Sequence, residues 1–243
     1  MSAVEILVAL YFKVLRVDPQ NPRWVDRDRF VLSKGHASAI YYAVLAERGF
    51  FPRSVLATFD DLDSCLQAHP DLQTPGVDAP SGSLGQGLSV GVGMALAARL
   101  DAKDCRIYVL LGDGELEEGQ VWEAAMAASR FNLSTLTAIV DYNRLQLTGR
   151  TNEVMAIEPL SEKWRAFNWH VIEVPGHDIR AVAEACTTAA TITNQPTVIV
   201  AHTVKGKGVS FMEDDYRWHS ALITDENRER ALAELGAANG GRR

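Results

Sequence analysis

LLGDGELEEGQVWEAAMAASRFNLSTLTAIVDYNRLQLTG, residues 110–149, decides how the rest of the chain is read. The aliphatic and β-branched run 106–111 that leads into it has the length of a buried strand, and Gly112-Asp113-Gly114 stops it. Val121, Trp122, Ala125, Met126 and Ala128 then recur at spacings of three and four, which predicts a helix over 119–131. Glu115, Glu117 and Glu118 crowd its expected N-terminal turn, where carboxylates complement the helix dipole. A second strand, 136–140, ends at Asp141-Tyr142-Asn143. The pattern is a βαβ unit, whose crossover makes its two strands parallel.

Parallel strands bring Asp113 and Asn143 out at the same carboxyl edge of the sheet, where open α/β folds bind ligands. Two short oxygen-bearing side chains are thereby placed side by side. Mg2+ suits such a site, because it takes hard oxygen ligands, few from protein and the rest from phosphate and water. The glycines flanking Asp113 let main chain approach a bulky anion, and the next helix offers its N-terminus to the same charge. A bare GDG tripeptide is equally a tight turn, with Asn143 an ordinary strand-end residue.

A chain of 243 residues can bury about 70–75 % of its unfolded surface, enough for one large α/β domain. The expected architecture is a doubly wound, mainly parallel sheet with helices on both faces, a single domain over 1–235, and a frayed, disordered tail over 236–243. A formal charge of −7 argues against nucleic acid or an anionic membrane as main partner. The absence of a bilayer-length apolar run or a basic, then apolar leader makes the cytoplasm the default compartment. Cys65, Cys105 and Cys186 fall in no metal-ligand spacing and are expected to be reduced packing residues.

Outward from the central unit, residues 1–17 carry a broad apolar helical face, with Ser2 expected as N-cap and Glu5 three residues on. A helix starting so abruptly suggests a late start codon or a trimmed end. A short strand, 30–32, delivers Ser33-Lys34-Gly35-His36, which puts His36 at the start of a small-residue helix facing the sheet's carboxyl edge. Leu56, Phe59, Leu62 and Leu66 predict a helical lid over 52–67, with Asp60, Asp61 and Asp63 on its solvated face. Glycines 82, 85 and 87 open a helix with exposed amides, while Gly91 and Gly93 are expected to let it pack close to the sheet. No strand directly precedes Gly82 and no acidic residue ends a strand about 20 residues on, which argues against a dinucleotide fingerprint. Downstream come a helix over 160–168, a third central strand over 169–174, a turn in which Asp178 caps the helix 179–193, and a strand over 196–201. Lys205 and Lys207 follow among glycines as a mobile cationic loop, and a last helix over 224–235 is capped by Thr224.

Together these segments resemble the transketolase family. GDG, the acidic helix start, Trp122-Glu123-Ala124 and an Asn thirty residues after the Asp match the thiamine diphosphate signature as transketolases write it. A strand, Ser33-x-Gly35-His36 and a helix occur there in the same order; Gln67-Ala68-His69-Pro70 is similar to the family's histidine-proline turn, and Trp218-His219-Ser220 to its loop histidine. Ser83 stands where proline is common and Thr148 where aspartate is usual. The resemblance covers 2–235 and is to the N-terminal, diphosphate-binding (PP) half. It implies that Asp113, Asn143 and the Leu145 carbonyl bind a divalent ion, Mg2+ with Ca2+ or Mn2+ able to substitute. Gly114, His36, Lys205 and His219 would approach the cofactor's diphosphate, while Gly82, Ser83 and Leu84 cradle its thiazolium side. His36, His69 and His219 would position sugar and diphosphate oxygens and shuttle protons, and Glu118 would meet, at a subunit boundary, the glutamate that activates the cofactor.

That glutamate belongs to a pyrimidine-binding domain, and 243 residues hold no second α/β repeat to supply it. The resemblance therefore implies a split transketolase: this chain with a C-terminal subunit carrying the pyrimidine-binding domain, in a homodimer of this chain or a heterotetramer. The pair would move a two-carbon ketol unit from a ketose phosphate to an aldose phosphate, as in pentose phosphate metabolism. A Ser-Gly-His-Pro-Gly segment usual before the position of Ser2 is absent, which implies feeble or altered sugar turnover. The alternatives are a nucleotide-dependent protein using the same edge, a non-catalytic cofactor-holding subunit, or one that is deoxyxylulose-phosphate synthase-like or 2-oxo-acid dehydrogenase alpha-like.

Overall fold

In a computed structural model that describes residues 1–239, five strands form one sheet: β1 (Arg29–Leu32), β2 (Ile107–Gly112), β3 (Leu136–Tyr142), β4 (His170–Pro175) and β5 (Thr197–His202). Their order is β1-β2-β3-β5-β4, and every pairing is parallel. All residues of β2 and β3 are buried, which is why both read as unbroken apolar runs.

Successive side chains of each strand face opposite layers. Tyr108, Leu110, Ile139 and Ile199 pack with α1 (Val4–Ala9), α2 (Ser38–Arg48) and α7 (Ile179–Thr191). Val109, Leu111, Ala138, Val140 and Val200 pack with α3 (Gln86–Leu100), α4 (Gly119–Arg130) and α6 (Leu160–Ala166). The crossovers through α4 and α6 step the same way across the sheet and share a face. The step from β4 to β5 runs back, so right-handedness puts α7 on the other face. The remaining helices are the short α5 (Thr151–Val154) and α8 (Asp225–Asn239). No helix among the described residues is long and apolar enough to cross a membrane, and the three cysteines are free.

Several local expectations are corrected. The strand expected as a third central one, β4, lies at the sheet edge, because β5 inserts between it and β3. Ser2 does not cap α1: its hydroxyl donates to Asp141 at 2.6 Å, and Ala3 occupies the cap position without a side-chain bond. Past Ala9 the helix continues as one π-type turn, Leu10–Val14, closed by Leu15 N–H to the Leu10 carbonyl at 2.8 Å. Residues 52–67 form no lid helix but a 3-10 stretch, Arg53–Thr58, followed by turns; Leu66 is fully buried while Leu62 is 95 % exposed, so the apolar residues share no face. Glu115 and Glu117 precede α4 in a 3-10 turn, Gly114–Glu117. Gly91 packs against Val109 as expected, whereas Gly93 has open space where a side chain would be. The expected caps are present: Asp178 accepts from Arg180 and Ala181 N–H at 2.9 and 3.1 Å, and Thr224 Oγ1 from Asn227 N–H at 3.2 Å. Helix α8 runs through 236–239 of the expected tail, and 240–243 lie outside the described residues.

Candidate functional site

Pairing of Gly112 with Asp141 in the β2–β3 register makes the next residues of both strands emerge together. The loop tips converge: Asp113 accepts from Gly114 N–H at 2.8 Å and, across the gap, from Arg144 N–H. Asn143 Oδ1 accepts from Leu145 N–H at 3.1 Å, which turns the chain sharply, and Gln146 N–H bonds the Gly149 carbonyl at 2.9 Å to close the loop. Carboxylate, carboxamide and Leu145 thus line one cleft of about 280 Å3 at the carboxyl edge.

Burial, followed by the charge of Asp141, pushes the Asp113 carboxyl up to about 6. Gln146 Oε1 and Glu117 Oε1 are buried on the same cleft and find no hydrogen-bond partner among the described residues. Such a set of oxygens fits a hard divalent cation. No group of three His, Cys, Asp or Glu among the described residues could hold a metal by itself, so a cation here would complete its shell with ligand phosphate and water.

The opposite wall is basic. Lys34, two residues past β1, is buried, and although burial works against its charge, Asp141 at 2.7 Å holds its pKa above the ordinary value. Asp141 in turn is fully buried; burial alone would raise it, but Lys34, Ser2 and Thr203 hold it well below the usual carboxylate range. His36 lies in the 3-10 turn Gly35–Ala37 that opens α2, its ring 5.0 Å from that of His219. Lys205 Nζ is 3.1 Å from His219 Nδ1. Burial, then Lys34 and the neighbouring His219, lowers His36 to about 3; burial, then Lys205, lowers His219 to about 4; and burial, then Lys34, lowers Lys205 to about 8. At neutral pH the two imidazoles are therefore uncharged hydrogen-bonding groups, and the lysines supply the positive charge.

Of the residues singled out in the sequence, Asp113, Asn143, Leu145, Gly114, Glu118, Leu84, His36 and His219 line this one cleft, with Lys205 a single contact behind it. Gly82 and Ser83 line an adjoining cleft of about 240 Å3. His69 is exposed, its ring over Gly82 and Gly35, and does not line the main cleft. Sequence reasoning passed over Lys34, Asp141, Glu115 and Gln146. Glu115 is 2 % exposed and ties three elements, accepting from Ser33 Oγ at the end of β1, Gly85 N–H (2.9 Å) before α3, and Gly112 N–H (3.0 Å) at the end of β2. The signal for Lys34 and Asp141 was a charge of opposite sign near the carboxyl end of each of two apolar strands.

The family described as "Transketolase, thiamine diphosphate binding domain" matches residues 1–239. An apulose-4-phosphate transketolase subunit from Phocaeicola vulgatus is 43 % identical over 235 residues, covering 97 % of this chain and 84 % of its own. The 6-deoxy-6-sulfo-D-fructose transketolase subunit SqwG of a Clostridium species is 45 % identical over 236 residues, covering 97 % and 86 %. A solved transketolase from Leishmania mexicana superposes with a TM-score of 0.89 at 34 % identity, covering 95 % of this chain and 36 % of that one. The chain thus spans about a third of that transketolase and more than four fifths of the subunit-type relatives. With the fold, the paired loop tips and these matches in agreement, the chain belongs to the transketolase family, as its N-terminal, thiamine diphosphate-binding half or the separate subunit that carries it.

Proposed function

We propose that the chain is the N-terminal subunit of a thiamine diphosphate-dependent transketolase, working with a separate subunit that carries the pyrimidine-binding domain. The observation that carries this reading is the Asp113 carboxylate bonded to Arg144 N–H, which gathers a carboxylate, a carboxamide and a carbonyl-bearing loop on one cleft. In this reading Asp113, Asn143 and the Leu145 carbonyl hold Mg2+, and Lys34, His36, Lys205 and His219 face the diphosphate. Bound there, thiamine diphosphate supplies a stabilised carbanion that no side chain offers. The chain's residues bind and orient it: the lysines offset phosphate charge, the neutral imidazoles hydrogen-bond oxygens, and Glu118, exposed at the rim, is available to a partner's carboxyl group. His69 is assigned to the sugar side.

The two subunit-type relatives are named for different sugars, so the reading claims the class, ketose donor and aldose phosphate acceptor, and not the pentose phosphate pair. Calorimetry with thiamine diphosphate and Mg2+ tests the site: binding by the native chain that falls at least about tenfold in Asp113→Asn is expected. Equal binding by both proteins refutes the assignment. Reconstitution tests the rest, since the chain alone should transfer no ketol group and the paired subunits should. Turnover of pyruvate as donor by the pair would favour the deoxyxylulose-phosphate synthase-like or 2-oxo-acid dehydrogenase alpha-like alternative.

A further inference from the structure

The turn between β4 and α7 has no part in the cleft, yet it carries a histidine with both ring nitrogens engaged. His177 Nε2 lies 2.8 Å from Val204 N, and Nδ1 lies 3.0 Å from Glu5 Oε2 on α1. A backbone N–H can only donate, so Nε2 is the lone-pair nitrogen; the ring proton is then on Nδ1 and is donated to the Glu5 carboxylate. The turn is pressed on the segment it holds. Gly176 N–H bonds the His202 carbonyl at 2.8 Å, and a Cβ at Gly176 would come within 3.1 Å of that same oxygen.

The residue after Val204 is Lys205, whose ammonium is 3.1 Å from His219 Nδ1. An ammonium has no acceptor, so Nδ1 accepts and the ring proton of His219 is on Nε2. His219 lines the cleft. A series of bonds therefore runs from α1 to the wall of the site: Glu5 to His177, His177 to the Val204 amide, Lys205 to His219. The flanks of the segment are tied separately, Thr203 Oγ1 to Asp141 and Asp214 N–H to the Lys205 carbonyl at 3.0 Å. The Val204 carbonyl accepts from Lys207 N–H at 3.3 Å, so loss of the His177 bond leaves those ties in place and frees the Val204 N–H alone.

We propose that His177, oriented by Glu5, is a positioning residue: by accepting the Val204 N–H it places Lys205, and through Lys205 it keeps His219 in the Nε2–H form toward an anion in the cleft. Only its consequence for ligand affinity rests on the diphosphate-binding reading.

The test uses the full chain, native and as His177→Ala and His177→Gln, with three measurements: amide exchange at Val204, the 15N spectrum of the His219 ring, and calorimetry with inorganic pyrophosphate plus Mg2+. His177→Ala should speed exchange at Val204 about tenfold or more, move the His219 ring signals toward a tautomer mixture, and weaken pyrophosphate about five- to tenfold, the scale of one hydrogen bond. Gln offers Oε1 as an acceptor in place of Nε2 and should restore most of each. The proposal fails if the Ala variant keeps native exchange and native His219 signals, if it unfolds more easily with His219 unmoved, or if Gln behaves like Ala. Should the native chain bind no pyrophosphate, the diphosphate reading fails, while exchange and the His219 spectrum still decide the tether.

Discussion

Removing the Asp141 charge is the sharpest perturbation of the framework behind the cleft. Asp141 is 0 % exposed and accepts from Lys34, Ser2 and Thr203; Lys34 is 4 % exposed. Asp141→Asn keeps the shape and strands an ammonium in the interior, a change that costs about 3–5 kcal/mol when one member of a buried pair is lost. Two hydroxyl bonds also fall from charge-assisted to neutral strength, adding about 0.5–1 kcal/mol each. Lys34 can escape part of this by releasing its proton, since burial without the carboxylate lowers its pKa. A loss of about 4 kcal/mol is therefore expected, a large share of the roughly 5–15 kcal/mol that holds a domain together. With a urea m-value of about 2–3 kcal/mol/M, the unfolding midpoint at pH 7 should drop by about 1–2 M. The double variant Lys34→Met/Asp141→Asn removes both charges and should be more stable than Asp141→Asn or Lys34→Met alone, a coupling of about 2 kcal/mol or more in a double-mutant cycle. An Asp141→Asn loss below about 1 kcal/mol, or additive effects in the cycle, would refute the claim that the pair is a desolvated, mutually dependent unit.

Three further outcomes follow from the same geometry. His36 and His219, lowered to about 3 and about 4, should show no ring titration by NMR between pH 5 and 8 in the free chain, and inorganic pyrophosphate should raise both. Because a base with a depressed folded pKa contributes stability above its unfolded pKa, near 6.5, that is lost as pH falls toward the folded one, the free chain should weaken from pH 6.5 downward and His36→Gln should flatten that limb. Gly87→Ala would put a Cβ 2.8 Å from the Ser33 backbone Cα and should cost about 1–3 kcal/mol in urea unfolding, whereas Gly93→Ala meets nothing within 4 Å and should gain up to about 1 kcal/mol of helix propensity.

What could be read from the sequence divides along a physical line. Asp113 and Asn143 were legible because a single crossover between adjacent parallel strands forces both strand ends to one edge, and the register Gly112 to Asp141 carries that out. His36 was placed at that edge by the strand and helix on either side of it and His219 by resemblance alone, and their 5.0 Å ring separation needed the fold, since they are 183 positions apart. Lys34 and Asp141 were missed for a related reason: they are 107 positions apart, one just past β1 and the other on β3, with β2 between those strands, so no local pattern pairs them. Ser2 looked like a cap because a serine three residues before a glutamate is a local signature, but the buried Asp141 carboxylate offers its hydroxyl a charge-assisted bond that a helix N–H cannot match. The lid expected over 52–67 failed in the opposite sense: helical spacing was present, but only Leu66 is fully buried, and spacing without a shared buried face does not hold a helix. The lateral place of β4 was invisible, as apolar runs report burial and not neighbours. It is this long-range pairing, and not the GDG motif by itself, that gives the cleft one acidic and one basic wall. The carboxylate and carboxamide come from the β2 and β3 tips, and the positive charge that faces them from the turn after β1 and the loops beyond β5, which hydrogen bonds to Asp141 and His177 tie down.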